Sequence, residues 1–265
     1  MSTTPDQVTP TDRQGIQVIS RAAALLRALE LHPDGLSLGE LARKVKLARS
    51  TVQRIVDALH REGFVIAAST TSGVRLGPGL LALAASTRFH IGEVARQTLE
   101  ALAKDCAETV DLSLFDHDKV VFIDQIAGKQ RLTAMSAVGG SFPLHSSANG
   151  KAVLASMSDS EIANLRKRVP LIPVTPNTIT TWSQLEKEIE KIRQQGVAFD
   201  HEENSIGISA ISMALRSPAG EIAAISIPAP THRFETNQAR LETLLRHHCT
   251  DLQRKLSPQN AHPLA

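Results

Sequence analysis

Three short amphipathic segments, separated by abrupt stops, fill residues 18–62, and few folds accept helices so brief and so closely punctuated. Val18 to Leu31 repeats apolar residues at helical spacing, with Val18, Ala22, Leu25, Leu26 and Leu29 on one face. His32-Pro33-Asp34-Gly35 stops that helix. Ser37-Leu-Gly-Glu40 opens the next: the serine hydroxyl accepts from a free helix amide while the glutamate three residues on reaches back. Leu41, Ala42 and Val45 face inward along it. A turn around Lys46-Leu47 leads to a third helix over Ala48–Glu62, where Val52, Ile55, Val56 and Leu59 keep the i, i+3, i+4, i+7 pattern. Gly63 ends it. Phe64-Val-Ile66 and Gly73-Val-Arg-Leu76 then read as two short strands around a Ser/Thr turn, Ser69–Ser72. Three helices and a small hairpin describe a winged helix-turn-helix.

The outer face of the third helix carries Arg49, Ser50, Gln53, Arg54, Asp57 and Arg61. Short polar and basic side chains at a helix start suit entry into a major groove, where Arg pairs with guanine, Gln with adenine, and Ser or Thr with phosphate or base edges. The DNA-contacting set expected here is Ser37, Arg49, Ser50, Thr51, Gln53 and Arg54, with Arg75 reaching a phosphate or minor groove from the hairpin. Charge agrees in sign: residues 1–77 hold 10 Lys and Arg against 7 Asp and Glu, while residues 78–265 hold 19 against 20. A phosphate-binding segment profits from such an excess through counterion release. With aromatic residues at 3% and no Tyr, stacking on single strands is a poor fit, so the expected partner is double-stranded promoter DNA.

At 265 residues the chain has room for one large domain or two modest ones. The sequence divides into a disordered tail (1–15), the winged helix-turn-helix domain (16–77), a linker helix (78–88) and a second domain (89–257). Pro78 to Ala85 is apolar nearly all round, so it must pack on something, and a groove-reading module commonly works in pairs. A homodimer or dimer of dimers is expected. The longest near-continuous apolar stretch, Ile222–Pro230, is far short of a membrane span. The first 15 residues carry no apolar core of a secretory signal, and Cys106 and Cys249 cannot build a disulfide framework. A cytoplasmic location with no membrane partner is expected.

In the second domain a long helix over Phe89–Thr109 leads into Val110–Phe115, whose apolar and polar residues alternate as in a half-buried strand. Asp116–Lys119 turns the chain, and Val120–Ile126 returns. Arg131–Met135 reads as another strand, Ser147–Ser156 as a helix, and Ser158-Asp-Ser-Glu161 as a capping box opening a further helix. After a Pro-rich loop, Pro170–Pro176, come a charged helix over Ser183–Gln195, strands over Val197–Phe199, Ile208–Arg216 and Glu221–Ile227, and a closing helix over Asn237–Lys255. A mostly antiparallel sheet flanked by helices is an α+β domain.

Leu38-Gly-Glu-Leu-Ala-Arg-Lys44, Leu47-Ala-Arg-Ser-Thr-Val-Gln-Arg-Ile55 and Leu59-His-Arg-Glu-Gly-Phe64 resemble the DNA-binding domain of the IclR family of bacterial transcriptional regulators. Val74 departs from it, standing where an aromatic is frequent. Phe142-Pro-Leu-His-Ser-Ser-Ala-Asn-Gly-Lys-Ala-Val-Leu-Ala155, Gly196-Val-Ala-Phe-Asp-His-Glu-Glu203 and Ala223-Ala-Ile-Ser-Ile-Pro228, with Arg233 following, resemble that family's GAF-like effector-binding domain. The resemblance covers about residues 16–255. It implies a regulator whose grip on DNA responds to a small organic acid, with a pocket formed by Ala134, Ser146, Ser147, Ala148, Asn149, Asp200, Ala210 and Ser226. Ala210 replaces the family's frequent Cys, and Pro228 stands where a small polar residue is common. Both changes favour larger organic or aromatic acids over two-carbon ones. Read physically, the loop entering the helix at Ser147-Ala148-Asn149 offers free amides and a positive dipole end to a carboxylate. Gly150 is expected to serve helix packing and Lys151 to be a surface charge.

Other chemistries are weakly supported. His145, Ser146, Ser147 and Asp200 could compose a hydrolase site, but no G-x-S-x-G elbow appears and adjacent side chains on a loop tend to diverge. His247-His248-Cys249 are consecutive on a helix, so at most two share a face, short of the three or four ligands zinc needs. Cys106 reads as a small core hydrophobe. No enzymatic activity, metal or cofactor is expected.

Overall fold

The computed structural model describes residues 10–66, 73–86, 90–218 and 220–256. The chain forms two compact units, Met1–Thr87 and Arg88–Ala265.

The first unit contains α1 (Pro10–Glu30), α2 (Leu38–Val45), α3 (Arg49–Arg61), β1 (Val65–Ile66), β2 (Arg75–Leu76) and α4 (Gly79–Ser86). The Ser37–Glu40 capping box is present in both directions, Glu40 N–H donating to Ser37 Oγ and Ser37 N–H to Glu40 Oε2. Lys46 closes α2 in the left-handed conformation, φ 53°, which turns the chain into α3 within three residues. Leu25, Leu29, Leu41, Val52, Val56 and Leu59 pack the three helices around one core. β1 and β2 pair antiparallel, and Leu36 adds a bridge to Val74, whose buried valine closes the base of the hairpin. The tip Ser69–Ser72 lies outside the described residues.

Two expectations change here. α1 starts at Pro10, a residue suited to a first helical turn, so the part of the expected disordered tail that is described is helical; residues 1–9 lie outside the described residues. Val18, expected on the inner face, is 51% exposed, because the core of this unit begins a turn later. α4 falls within the first unit, its start held by Gly79 N–H donating to Gly63 O.

The second unit holds α5 (His90–Cys106), β3 (Val110–Asp116), β4 (Lys119–Ile126), β5 (Ser141–Pro143), α6 (Ala148–Ala155), α7 (Asp159–Arg166), α8 (Trp182–Gln195), β6 (Ala198–His201), β7 (Ile208–Arg216), β8 (Ile222–Pro230) and α9 (Thr231–Leu256). Its sheet is antiparallel throughout, in the order β5-β4-β3-β8-β7-β6. Leu112, Ile211, Ile225 and Ile227 share one core with Leu99 of α5 and Leu245 of α9. Helices α6, α7 and α8 share a second core with Val120, Ile222 and Ala224. β8 is buried along its whole length, as its apolar run requires of a central strand.

Residues 131–135 form no strand. The edge of β4 they would need is already taken: Gly139 N–H donates to Phe122 O, Phe122 N–H to Gly140 O, and β5 pairs with Lys119–Val121. β3 also differs from a half-buried strand, since Val110–Leu114 are buried on both sides.

Candidate functional site

On the first unit the start of α3 is chemically unusual. Its N-cap, Ala48, supplies no side-chain hydrogen bond, its first turn has no acidic residue, and Arg49 stands at the positive end of the helix dipole. An anion there is favoured by about 0.3–1 kcal/mol, whereas a cation is not. The arrangement suits a helix end that receives a phosphate, with Arg49 beside the exposed amides. Arg49, Ser50 and Arg54 are exposed and Thr51 half-buried. Gln53 donates from Nε2 to Asp57 Oδ1 (2.7 Å), so base contact by Gln53 requires exchanging that bond. Ser37 is committed to its capping box, its hydroxyl also donating to Glu40 Oε2 (2.7 Å). Arg75 is exposed on β2.

The second unit holds a partly open cavity of about 240 Å³. The sheet floor comes from register: Asp111 on β3 sits opposite Ser226 on β8, and Pro228, two residues along β8, lines up with Ala210 on β7 and Asp200 on β6. Ser147, Ala148 and Asn149 at the start of α6 form a wall, and Thr133 to Ser136 of the 127–140 segment form another. Phe122 and Phe142 meet edge to face, ring centroids 4.9 Å apart, and border the same space. Seven of the eight expected residues border the cavity: Ala134, Ser147, Ala148, Asn149, Asp200, Ala210 and Ser226. Ser146 does not; it stands behind the lining and donates to Asn204 Oδ1 (3.3 Å), and it is Asn204 that borders the space. Among the bordering residues that the sequence does not single out are Asp111, Phe122, Ser136, Phe142 and Asn204. For Asp111 the signal was present: a carboxylate on the polar side of an alternating strand.

α6 is fixed by local chemistry. Ser147 Oγ accepts from Gly150 N–H (3.1 Å) and donates to Pro143 O (2.9 Å). Asn149 Nδ2 donates to Ser113 Oγ (2.9 Å), tying the helix to β3. Gly150 does serve packing, since a Cβ there would lie 2.4 Å from Leu144 Cα. Lys151 is not a surface charge. It is 1% exposed, with Nζ 2.5 Å from Glu203 Oε1 and 3.8 Å from Glu188 Oε1. Ala148 to Leu154 are all buried, so α6 has no solvent face on which Lys151 could lie.

Burial dominates the electrostatics of the floor. It pushes the Asp200 carboxyl up to about 7, opposed by the Glu203 N–H donating to Oδ1 (2.7 Å) and reinforced by the Glu203 charge, while Lys151 pulls the other way. Burial likewise raises Asp111 to about 6, against hydrogen bonds from Gln125 Nε2 and Ser136 Oγ, both 2.7 Å.

The parts of a hydrolase site are committed elsewhere. The His145 ring donates from Nε2 to Ile172 O (3.0 Å), and the Ser147 hydroxyl is a helix cap. His248 pairs with Asp105 (2.9 Å) and His247 lies 3.7 Å from Asp251, while Cys249 is buried with its thiol pushed up to about 12. Among the described residues no group of three or more His, Cys, Asp or Glu could hold a metal ion, and no helix is long and apolar enough to cross a membrane.

Two family models match the chain: the IclR helix-turn-helix domain over residues 18–66, and the bacterial transcriptional regulator IclR C-terminal domain over residues 83–254. The HTH-type transcriptional regulator Rv1719 of Mycobacterium tuberculosis is 45% identical over 228 residues, covering 86% of this chain and 87% of that one. The crystal structure of the Thermotoga maritima IclR is 31% identical, with a TM-score of 0.67, over 91% of this chain and 99% of that one. An IclR homologue from Microbacterium hydrocarbonoxydans, solved with 4-hydroxybenzoate, shares the fold at 22% identity, with a TM-score of 0.73, over 90% of this chain and 98% of that one. With both halves matched in order, the chain belongs to the IclR family of bacterial transcriptional regulators, with a helix-turn-helix DNA-binding domain ahead of an α+β domain.

Proposed function

We propose that this regulator grips duplex operator DNA in the cytoplasm as a dimer or dimer of dimers, and that a small organic effector lodged in the cavity changes the grip. The observation that carries the DNA half is the start of α3, a bare helix end with Arg49, Ser50 and Arg54 exposed around it. Thr51 and Gln53 complete the groove face, with Ser37 at the start of α2 and Arg75 on the hairpin. Arg54→Ala is expected to weaken specific binding by about 1–3 kcal/mol if the guanidinium meets a base edge. Fluorescence anisotropy on the chain's own upstream DNA reads this directly, and an unchanged Kd removes Arg54 from the interface.

Pairing is supported by α4, where Leu81 and Leu83 are 73% and 54% exposed. Two copies would present two recognition helices to half-sites about one helical turn apart. Light scattering at micromolar concentration is expected to give the mass of a dimer or tetramer; a monomer mass contradicts the pairing.

The effector half is supported by the partly open cavity, bordered by Ala134, Ser147, Ala148, Asn149, Asp200, Ala210 and Ser226, with Ser146 supporting Asn204. That an IclR homologue of the same fold was solved in complex with 4-hydroxybenzoate is consistent with a small ring compound as the effector. An effector favouring one arrangement of the domain would shift the population of DNA-competent states by its differential affinity alone. Catalysis plays no part in this reading.

A further inference from the structure

The charge of the cavity argues against the organic acid that the sequence suggests. Among the described residues that border it there are two carboxylates, Asp111 and Asp200, 1% and 5% exposed, and no Lys, Arg or His. The nearest buried cation, Lys151, is turned to Glu203 and Glu188. The start of α6 offers about half an elementary charge, and Ser147 already caps one of its amides. At pH 8, above the raised values of both carboxyls, their two negative charges outweigh that half. Burial has already raised both carboxyls, so a further anion beside them is disfavoured unless a proton is taken up with it.

The carboxylates have room for further donors. Asp111 Oδ1 accepts from Gln125 and Oδ2 from Ser136, while Asp200 accepts from the backbone N–H groups of Glu203 and Asn204. Each carboxylate oxygen can accept more than one hydrogen bond, and both side chains border the open space. Phe122, Phe142 and Pro228 supply apolar cover beside them. A cavity of about 150 Å³ is enough for benzene, so 240 Å³ takes a substituted ring.

We propose that the cavity takes an uncharged ring compound bearing N–H or O–H groups on two edges, which donate to Asp111 and Asp200 while Phe122 and Phe142 cover the ring. This rests on the reading of the cavity as the effector site. The compound differs from an aromatic acid only in what it presents to the floor: donors where the acid presents a charge.

Isothermal titration of the full-length protein at pH 8 with 4-hydroxybenzamide, resorcinol and 4-hydroxybenzoate tests it. The amide and the diol are expected to bind at least tenfold tighter than the carboxylate. Asp200→Asn keeps an acceptor for Glu203 N–H but turns a donor to the cavity, and it is expected to reduce that preference about tenfold; Asp111→Asn is the second variant. Tighter binding of 4-hydroxybenzoate, or a preference that survives both variants, overturns the proposal while leaving the cavity as the effector site. Ala210→Leu, which fills the floor, separates the two readings: heats that persist undiminished in it, or no heat from any compound with the unaltered protein, overturn the effector site itself and the proposal with it.

Discussion

Lys151→Ala is expected to destabilise the second unit by about 3–5 kcal/mol, the loss that follows when one partner of a buried ion pair is removed. Its ammonium is the cation beside Glu203, whose Oε2 accepts no hydrogen bond from the described residues. Without Lys151 that carboxylate stays buried and uncompensated. The unit reports on itself, because the single Trp182 opens α8 and packs on the core beneath α6. Urea unfolding followed by its fluorescence should show the midpoint fall by roughly 2 M for a slope of about 2 kcal/mol/M. The double variant Lys151→Met with Glu203→Gln removes both charges and should recover most of the loss. A midpoint unmoved in the single variant would show that the pair does not hold α6 to the 202–204 loop.

Gly150→Ala is the second large effect, expected at about 3 kcal/mol, the upper part of the range for overpacking. The added Cβ would lie 2.4 Å from Leu144 Cα and 2.5 Å from Leu144 O. Both are backbone atoms, so no side-chain rotation relieves the contact. Leu144 is itself buried with Val153 and Leu154, which leaves the loop before α6 little room to retreat. The same fluorescence measurement reads the loss, and calorimetry should show ring compounds binding more weakly as the Ser147–Asn149 wall shifts. A variant with unaltered stability would mean that the loop before α6 can yield.

The first unit was legible because its signals are local. Ser37 and Glu40 cap within one turn, and Lys46 turns the chain where the apolar period breaks. Val18 misled because periodicity assigns a face without saying how far along the helix the core extends. In the second unit the strands of the sheet centre were legible, but 131–135 was not, since the claim of Gly139 and Gly140 on the β4 edge is a long-range fact. β3 shows the subtler limit. Its alternation was read as one face toward solvent, whereas Asp111 and Ser113 face the cavity side under α6. Polar residues every second position mean water or a pocket, and the sequence of one strand does not distinguish them. Lys151 failed for the same reason: a lysine on a small-residue helix reads as exposed until the partners of all its faces are known.

The cavity's two walls differ in stiffness. On the α6 side, backbone touches backbone at Gly150, and nothing there compresses. On the other side runs a stretch without helix or strand, tethered by Ser136 to Asp111 and by Leu132 O to Arg233 in the first turn of α9, the longest helix described. A guest that needs more room on that side meets the tether to Arg233, whose other grip is on Glu108 just ahead of β3. Arg233 thus fastens the irregular wall of the cavity to the first turn of α9 and to the entry of β3 at once.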